Sequence, residues 1–293
     1  MDRINEYLQY HRNSSYRMDI DIQVEAIEFI CAIKNIPLEG KLWLSFLFSC
    51  TYCMATAWVI FSRFPEFKGF HLAVLEKFWE QNRQKLIFQS DRVYVKNCNK
   101  FVAMVASYRD FIKKHDAGEN QHSAIVHYLG GAKGGKAYRR LVDSGLYFFG
   151  RFSWFLYSEL LSHCGIDVEA ELDLADAKSV RNGLCFAAGL DDAYVARNEN
   201  GSVAPEKMET LNNALQKIVC RVAELPILQR HKSLWSIETT LCAFKKHILG
   251  KRYVGYYVER MIDEGEKMRE RFPGVDWTPM QMFVDTFYGG GAK

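Results

Sequence analysis

The 293-residue sequence has little proline, six residues in all, and no long polar or low-complexity tract. That scarcity argues against modules strung on extended linkers and favours one compact domain with subregions. No basic segment followed by an apolar core opens the chain, so a secretory signal is not expected. Eight cysteines are scattered, and only Cys50-x-x-Cys53 forms a close pair. With no second pair at zinc-finger spacing, a metal site is not expected. Free thiols fit a reduced, cytoplasmic protein. Net charge is only +3, too small to argue for a nucleic-acid partner by itself.

One uncharged run, Leu42 to Ser62, has about the length that crosses a bilayer. Its Ser45, Ser49, Thr51, Tyr52, Thr56 and two cysteines, with no second such run in the chain, argue for a buried core helix instead. No membrane partner is expected.

Aromatic residues make up 14% of the chain, which leaves rings available for stacking beyond core filling. Charge is segregated. Lys133, Lys136, Arg139, Arg140 and Arg151 face only Asp143 between Tyr128 and Phe152, and six cations face only Glu238 between Arg230 and Arg252. Between these stretches, Glu159 to Asp176 is acidic, with no cation before Lys178. A polyanion binder has this pattern, and so do ordinary solvated helix faces.

Apolar spacing predicts an all-α fold. Helices are expected over about Asp19–Lys34, His71–Asn82, Phe101–Lys114, Pro205–Glu224 and Leu234–Ile248, with a last one ending near Arg271. Residues 1–18 are polar and rich in Tyr and Arg, and read as an N-terminal arm. Residues 19–288 read as a single helical domain, and 289–293 as a flexible tail.

Gly130 to Ala137 has the glycine and lysine spacing of a phosphate-cradling loop, but Ala137 stands where a magnesium-binding hydroxyl is needed. No apolar strand ending in Asp follows, so nucleotide hydrolysis is rejected. Phosphate or DNA-backbone contact and a plain interhelical loop both remain open.

Three stretches are dense in unusual residues. Phe148 to Leu161 sets Arg151 and Glu159 in an otherwise apolar run, where each charge is expensive without a partner. Ser179 to Asp192 carries Arg181-Asn182-Gly183 and Asp191. In Leu234 to Ile248, the residues Ile237, Leu241, Phe244 and Ile248 form an expected buried stripe flanked by Glu238, Cys242 and Lys245.

At Phe149-Gly150-Arg151-Phe152-Ser153 through Tyr157-x-Glu159, at Arg181-Asn182-Gly183, and at Glu238-Thr239-x-Leu241-Cys242 with Lys245-Lys246, the chain resembles a phage family. This family is the amino acid:DNA transferases, also called alpha-glutamyl/putrescinyl thymine pyrophosphorylases. Trp43-x-x-Phe46-Leu47, Tyr52, Trp58 to Phe64-Pro65 and Asp91-Arg92-x-Tyr94 extend the resemblance over about residues 40 to 260.

The resemblance implies a hypermodification enzyme, placed in the host cytoplasm if phage-encoded, with a fold likened to helical DNA glycosylases. Its substrate would be double-stranded DNA carrying pyrophosphorylated 5-hydroxymethyluracil, with an amino acid or polyamine replacing pyrophosphate. On that reading the base is flipped out, and Tyr157, Trp154 or Tyr94 stacks on it. Arg151, Arg181, Lys245 and Lys246 would meet pyrophosphate. Asp91, Arg92, Asn182 and Asp191 would line the substrate, and Lys133, Lys136, Arg139, Lys251 and Arg252 the DNA backbone. Glu159 is the first choice of base for the amine and Glu238 the second. No cofactor is required, although pyrophosphate usually travels with magnesium. A DNA glycosylase and a non-catalytic helical DNA binder are the alternatives.

Overall fold

The computed structural model describes residues 3–89, 92–97, 99–172, 174–175, 177–190 and 203–289. The fold is all-α. Among the described residues no strand forms, and the sole extended pairing is an isolated bridge between Gly134 and Val168. In chain order the helices are α1 (Arg3–Tyr16), α2 (Ile22–Ile33), α3 (Leu38–Thr51), α4 (Met54–Arg63), α5 (Leu72–Asn82), α6 (Val93–Asn97), α7 (Phe101–His115) and α8 (Gln121–Leu129). There follow α9 (Gly134–Val142), α10 (Arg151–Ser162), α11 (Lys178–Ala187), α12 (Pro205–Ala223), α13 (Leu234–Ile248), α14 (Tyr256–Arg271) and α15 (Thr278–Tyr288).

Contacts group the chain into two compact units. The first joins Met1–Ile22 to Glu171–Glu259, and the second joins Gln23–Ala170 to Arg260–Lys293.

In the first unit, α11 packs along α13, and α1 and α12 close over them. The core is built from Tyr7, Leu184, Leu211, Ile218, Ile237, Leu241 and Phe244. The segment read as an N-terminal arm is therefore a helix with a buried face. That face buries Ile4, Leu8 and Tyr10 beside polar groups: the Tyr7 hydroxyl and His11 Nδ1 each lie 2.8 Å from Thr240 Oγ1, and His11 Nε2 donates to the His231 carbonyl at 2.9 Å. These hydrogen bonds satisfy the polar groups that are buried beside the apolar ones. Burial lowers the His11 pKa to about 4, so the ring is neutral.

In the second unit, α3 packs against α4 and α10, and α7 against α8. The uncharged run Leu42 to Ser62 is buried as expected, but as two helices. Tyr52 adopts a left-handed conformation (φ 50°) and ends α3, and Cys53 opens α4. The serine and threonine hydroxyls of α3 bond back to carbonyls one turn earlier, as Ser49 does to Ser45 at 2.9 Å, which satisfies them without partners elsewhere. No helix among the described residues is long and apolar enough to cross a membrane.

Candidate functional site

Gly150 is the N-cap of α10, with no side chain to cap the first turn, and Arg151, Phe152, Ser153 and Trp154 follow it. Trp154 and Tyr157 are fully buried. Tyr157 donates or accepts a 2.6 Å hydrogen bond with Tyr108, whose ring stacks on Phe46 at 3.9 Å between centroids. Trp154 meets Phe149 edge-on. These two rings form the aromatic core of the second unit and offer no open face to a base, which corrects their expected stacking role. Exposure separates them from Tyr94, and sequence alone does not report exposure.

Tyr94, at 41% exposure, is open, as are Tyr147 and Phe148. The Tyr94 and Phe148 rings lie 5.4 Å apart, Tyr147 and Phe148 5.8 Å, and the Lys100 ammonium stands 5.5 Å from both the Tyr147 and Phe148 centroids. Phe148 holds a left-handed backbone (φ 57°), a strained conformation for a bulky residue. The sequence reading missed Tyr147, Phe148 and Lys100 as a surface group. Three large rings exposed together are its structural signal.

Behind this patch lies Arg92, only 2% exposed. Its guanidinium sits 4.7 Å from the Phe152 centroid, and Nη1 donates to the Tyr94 hydroxyl at 2.7 Å. Nε and Nη2 are buried without a hydrogen-bond partner among the described residues. A buried cation without a counter-charge costs several kcal/mol, which makes this arginine the least expected group in the unit. The Arg92 backbone N–H donates to the Gln89 carbonyl at 2.7 Å, and the Gln89 amide donates to buried Glu264 at 2.8 Å. Burial raises the Glu264 carboxyl pKa, against the pull of Arg260, whose Nε donates to it at 2.9 Å. Glu264 thus steadies the segment that carries Arg92; nothing in its ordinary helical sequence context marked it.

Arg151 is half-buried and, among the described residues, makes no ion pair or side-chain hydrogen bond. Glu159 is buried two turns further along α10. Eight residues of helix separate the two by a rise of about 12 Å, and they do not pair.

In the first unit, Arg181 is buried and its Nη1 donates to the carbonyls of Leu174 and Ala175, both at 2.6 Å. That donor pins the chain entering α11. Gly183 has a packing reason: a Cβ there would stand 1.8 Å from the Leu241 carbonyl oxygen, so α11 and α13 cross backbone to backbone. Half-buried Asn182 lies beside it. Glu238 accepts from the Cys242 thiol at 3.3 Å, and the Lys245 ammonium lies 4.9 Å from the Phe186 centroid. Lys246 and Lys251 are exposed. Arg252 lies 5.0 Å from the Tyr256 and Tyr257 rings and donates to the Tyr257 hydroxyl. Asp91 and Asp191 lie outside the described residues.

Lys133, Lys136 and Arg139 are exposed on the glycine-rich loop and α9. The Gly134 N–H at the head of α9 already donates to the Asp167 carbonyl at 3.1 Å, and the Glu169 carboxylate lies beside it. Acidic neighbours at that amide favour the interhelical-loop reading over a phosphate cradle.

The fold is all-α, and its second unit sets open rings beside a buried guanidinium that has two unpartnered donors among the described residues. The chain belongs to the amino acid:DNA transferase family, whose model matches residues 24–253. It is 28% identical to a serinyltransferase of Salmonella phage ViI over 294 residues, covering 91% of this chain and 67% of that protein. The protein is a transferase that moves an amino acid onto DNA, which selects among the three activities weighed from sequence.

Proposed function

We propose that the protein displaces pyrophosphate from 5-pyrophosphoryloxymethyluracil in DNA with the amine of an amino acid or polyamine. The exposed Tyr94–Phe148 ring pair, backed by Arg92 and adjoining the head of α10, is the observation that carries this reading. A flipped pyrimidine stacks on Tyr94 or Phe148, and its 5-substituent then lies at the edge of the ring. The bond between the 5-methylene carbon and the diphosphate oxygen breaks, and its electron pair leaves with pyrophosphate. Arg151 stabilises the charge that develops on the leaving oxygens. The amine lone pair forms the new carbon–nitrogen bond, and the nitrogen gives up a proton to a carboxylate. Glu159, in the same unit, is the first choice of acceptor.

Exposed Lys133, Lys136, Arg139, Lys246 and Lys251 suit salt-dependent contacts to backbone phosphates. Magnesium enters, where used, as the companion of pyrophosphate. Among the described residues no three His, Cys, Asp or Glu side chains cluster to hold it. Because the phage relative is named for serine, serine is the first amine to test, beside glycine, glutamate and putrescine.

The test incubates the protein with DNA carrying 5-pyrophosphoryloxymethyluracil and each amine, digests the DNA and weighs the nucleosides. A thymidine adduct with one of the amines is expected. Absence of any adduct contradicts the reading.

A further inference from the structure

We infer that the amino end of α10 and Arg92 form a receptor for a diphosphate group, the leaving group of the proposed reaction, on which this assignment rests. Four observations converge there. The first-turn N–H groups of α10 have no capping side chain. Helix starts of this kind bind anions through those donors and the helix dipole. Arg92 stacks on Phe152, the second residue of α10, with Nε and Nη2 buried and unpaired among the described residues. Arg151, the first residue of α10, has no partner among the described residues. Gly150 is the fourth: its φ of −75° suits any residue, and a Cβ there would meet nothing within 4 Å. Neither conformation nor packing demands glycine at the N-cap. Glycine leaves the backbone there open to close approach by a ligand.

The same geometry links the receptor to the ring patch. Arg92 Nη1 touches the hydroxyl end of Tyr94, so a base stacked on that ring directs an edge substituent toward the guanidinium. Arg92 then finds in the diphosphate the counter-charge that none of the described residues supplies. A guanidinium presents two parallel donors to such a group, and an ammonium does not.

Titration of the full-length chain with inorganic pyrophosphate, by calorimetry and without DNA, tests the receptor. Wild type should bind one pyrophosphate, and orthophosphate more weakly. Arg92→Met should weaken pyrophosphate binding by about tenfold or more, because charge-assisted donors are lost, while its melting temperature stays level or rises as an unpaired buried charge is removed. Gly150→Asp should block the site with a competing carboxylate yet melt no lower, since Asp is a favoured N-cap.

No pyrophosphate binding by wild type, or undiminished binding in both variants, overturns the assignment. So does an equal loss of affinity for unmodified duplex DNA in Arg92→Met, which would make the bound anion a backbone phosphate. The two readings fail separately: pyrophosphate binding without adduct formation sinks the transfer chemistry and leaves the receptor standing, whereas adduct formation by a protein that ignores free pyrophosphate does the reverse.

Discussion

The Leu241 carbonyl oxygen occupies the space in which a side chain on Gly183 would begin, 1.8 Å from where a Cβ would stand. The Arg181-Asn182-Gly183 motif therefore contains a packing requirement at its third position. Gly183→Ala should cost about 3 kcal/mol or more, since two helix backbones must separate. Chemical denaturation measures it; a loss under about 0.5 kcal/mol, the size of an ordinary surface change, contradicts the close crossing.

Tyr157 is an interior ring bonded to Tyr108. Tyr157→Phe should cost about 1 kcal/mol of stability, the net worth of a typical hydrogen bond, and leave DNA modification intact. A variant with wild-type stability and no turnover would restore a direct substrate role.

His11 links pH to stability. Its pKa falls from 6.5 to about 4 on folding, chiefly by burial. Between those values the unfolded chain binds a proton that the folded chain refuses, so stability rises with pH across the window and the contribution is complete above 6.5. The rise amounts to about 3 kcal/mol at most. Buried Asp19, its carboxyl raised to about 6, contributes with the opposite sign over part of this window, so the His11 share is the difference between wild type and His11→Gln in denaturant midpoints at pH 4.5 and 7.

Arg151 pairs with nothing among the described residues, so Arg151→Ala should keep the fold while adduct formation falls by about a hundredfold, as loss of a transition-state charge partner does. Glu159→Gln should likewise abolish transfer if Glu159 takes the amine proton. Wild-type turnover in either variant removes that residue from the chemistry.

Much of the fold was legible from periodicity. Helices α5, α7, α12 and α13 begin and end within about two residues of the expected bounds, which is ordinary for helix ends. On α13, Ile237, Leu241 and Phe244 are fully buried as the stripe requires, while Ile248 is exposed because it lies in the last turn. Helix α1 escaped notice because its buried face mixes Ile4, Leu8 and Tyr10 with Tyr7, His11, Ser14 and Ser15, and distant partners such as Thr240 and His231 make the polar members burial-tolerant. Helix α15, which opens on Pro279 at its first turn, was also missed. At the site, the sequence drew attention to the α10 stretch, and the family resemblance to Arg92 and Tyr94, but neither could sort rings into core and surface. Nor could either show that Arg92 lacks a counter-charge among the described residues, which is a property of three-dimensional neighbours alone.

The most direct test of amino acid transfer by pyrophosphate displacement uses an amine with an isotopically labelled nitrogen and follows both products. The account predicts labelled nitrogen in the thymidine adduct and one pyrophosphate released for each adduct formed. Pyrophosphate release with recovery of 5-hydroxymethyluridine and no label in the nucleoside would contradict it, because water rather than the amine would then have taken the methylene carbon.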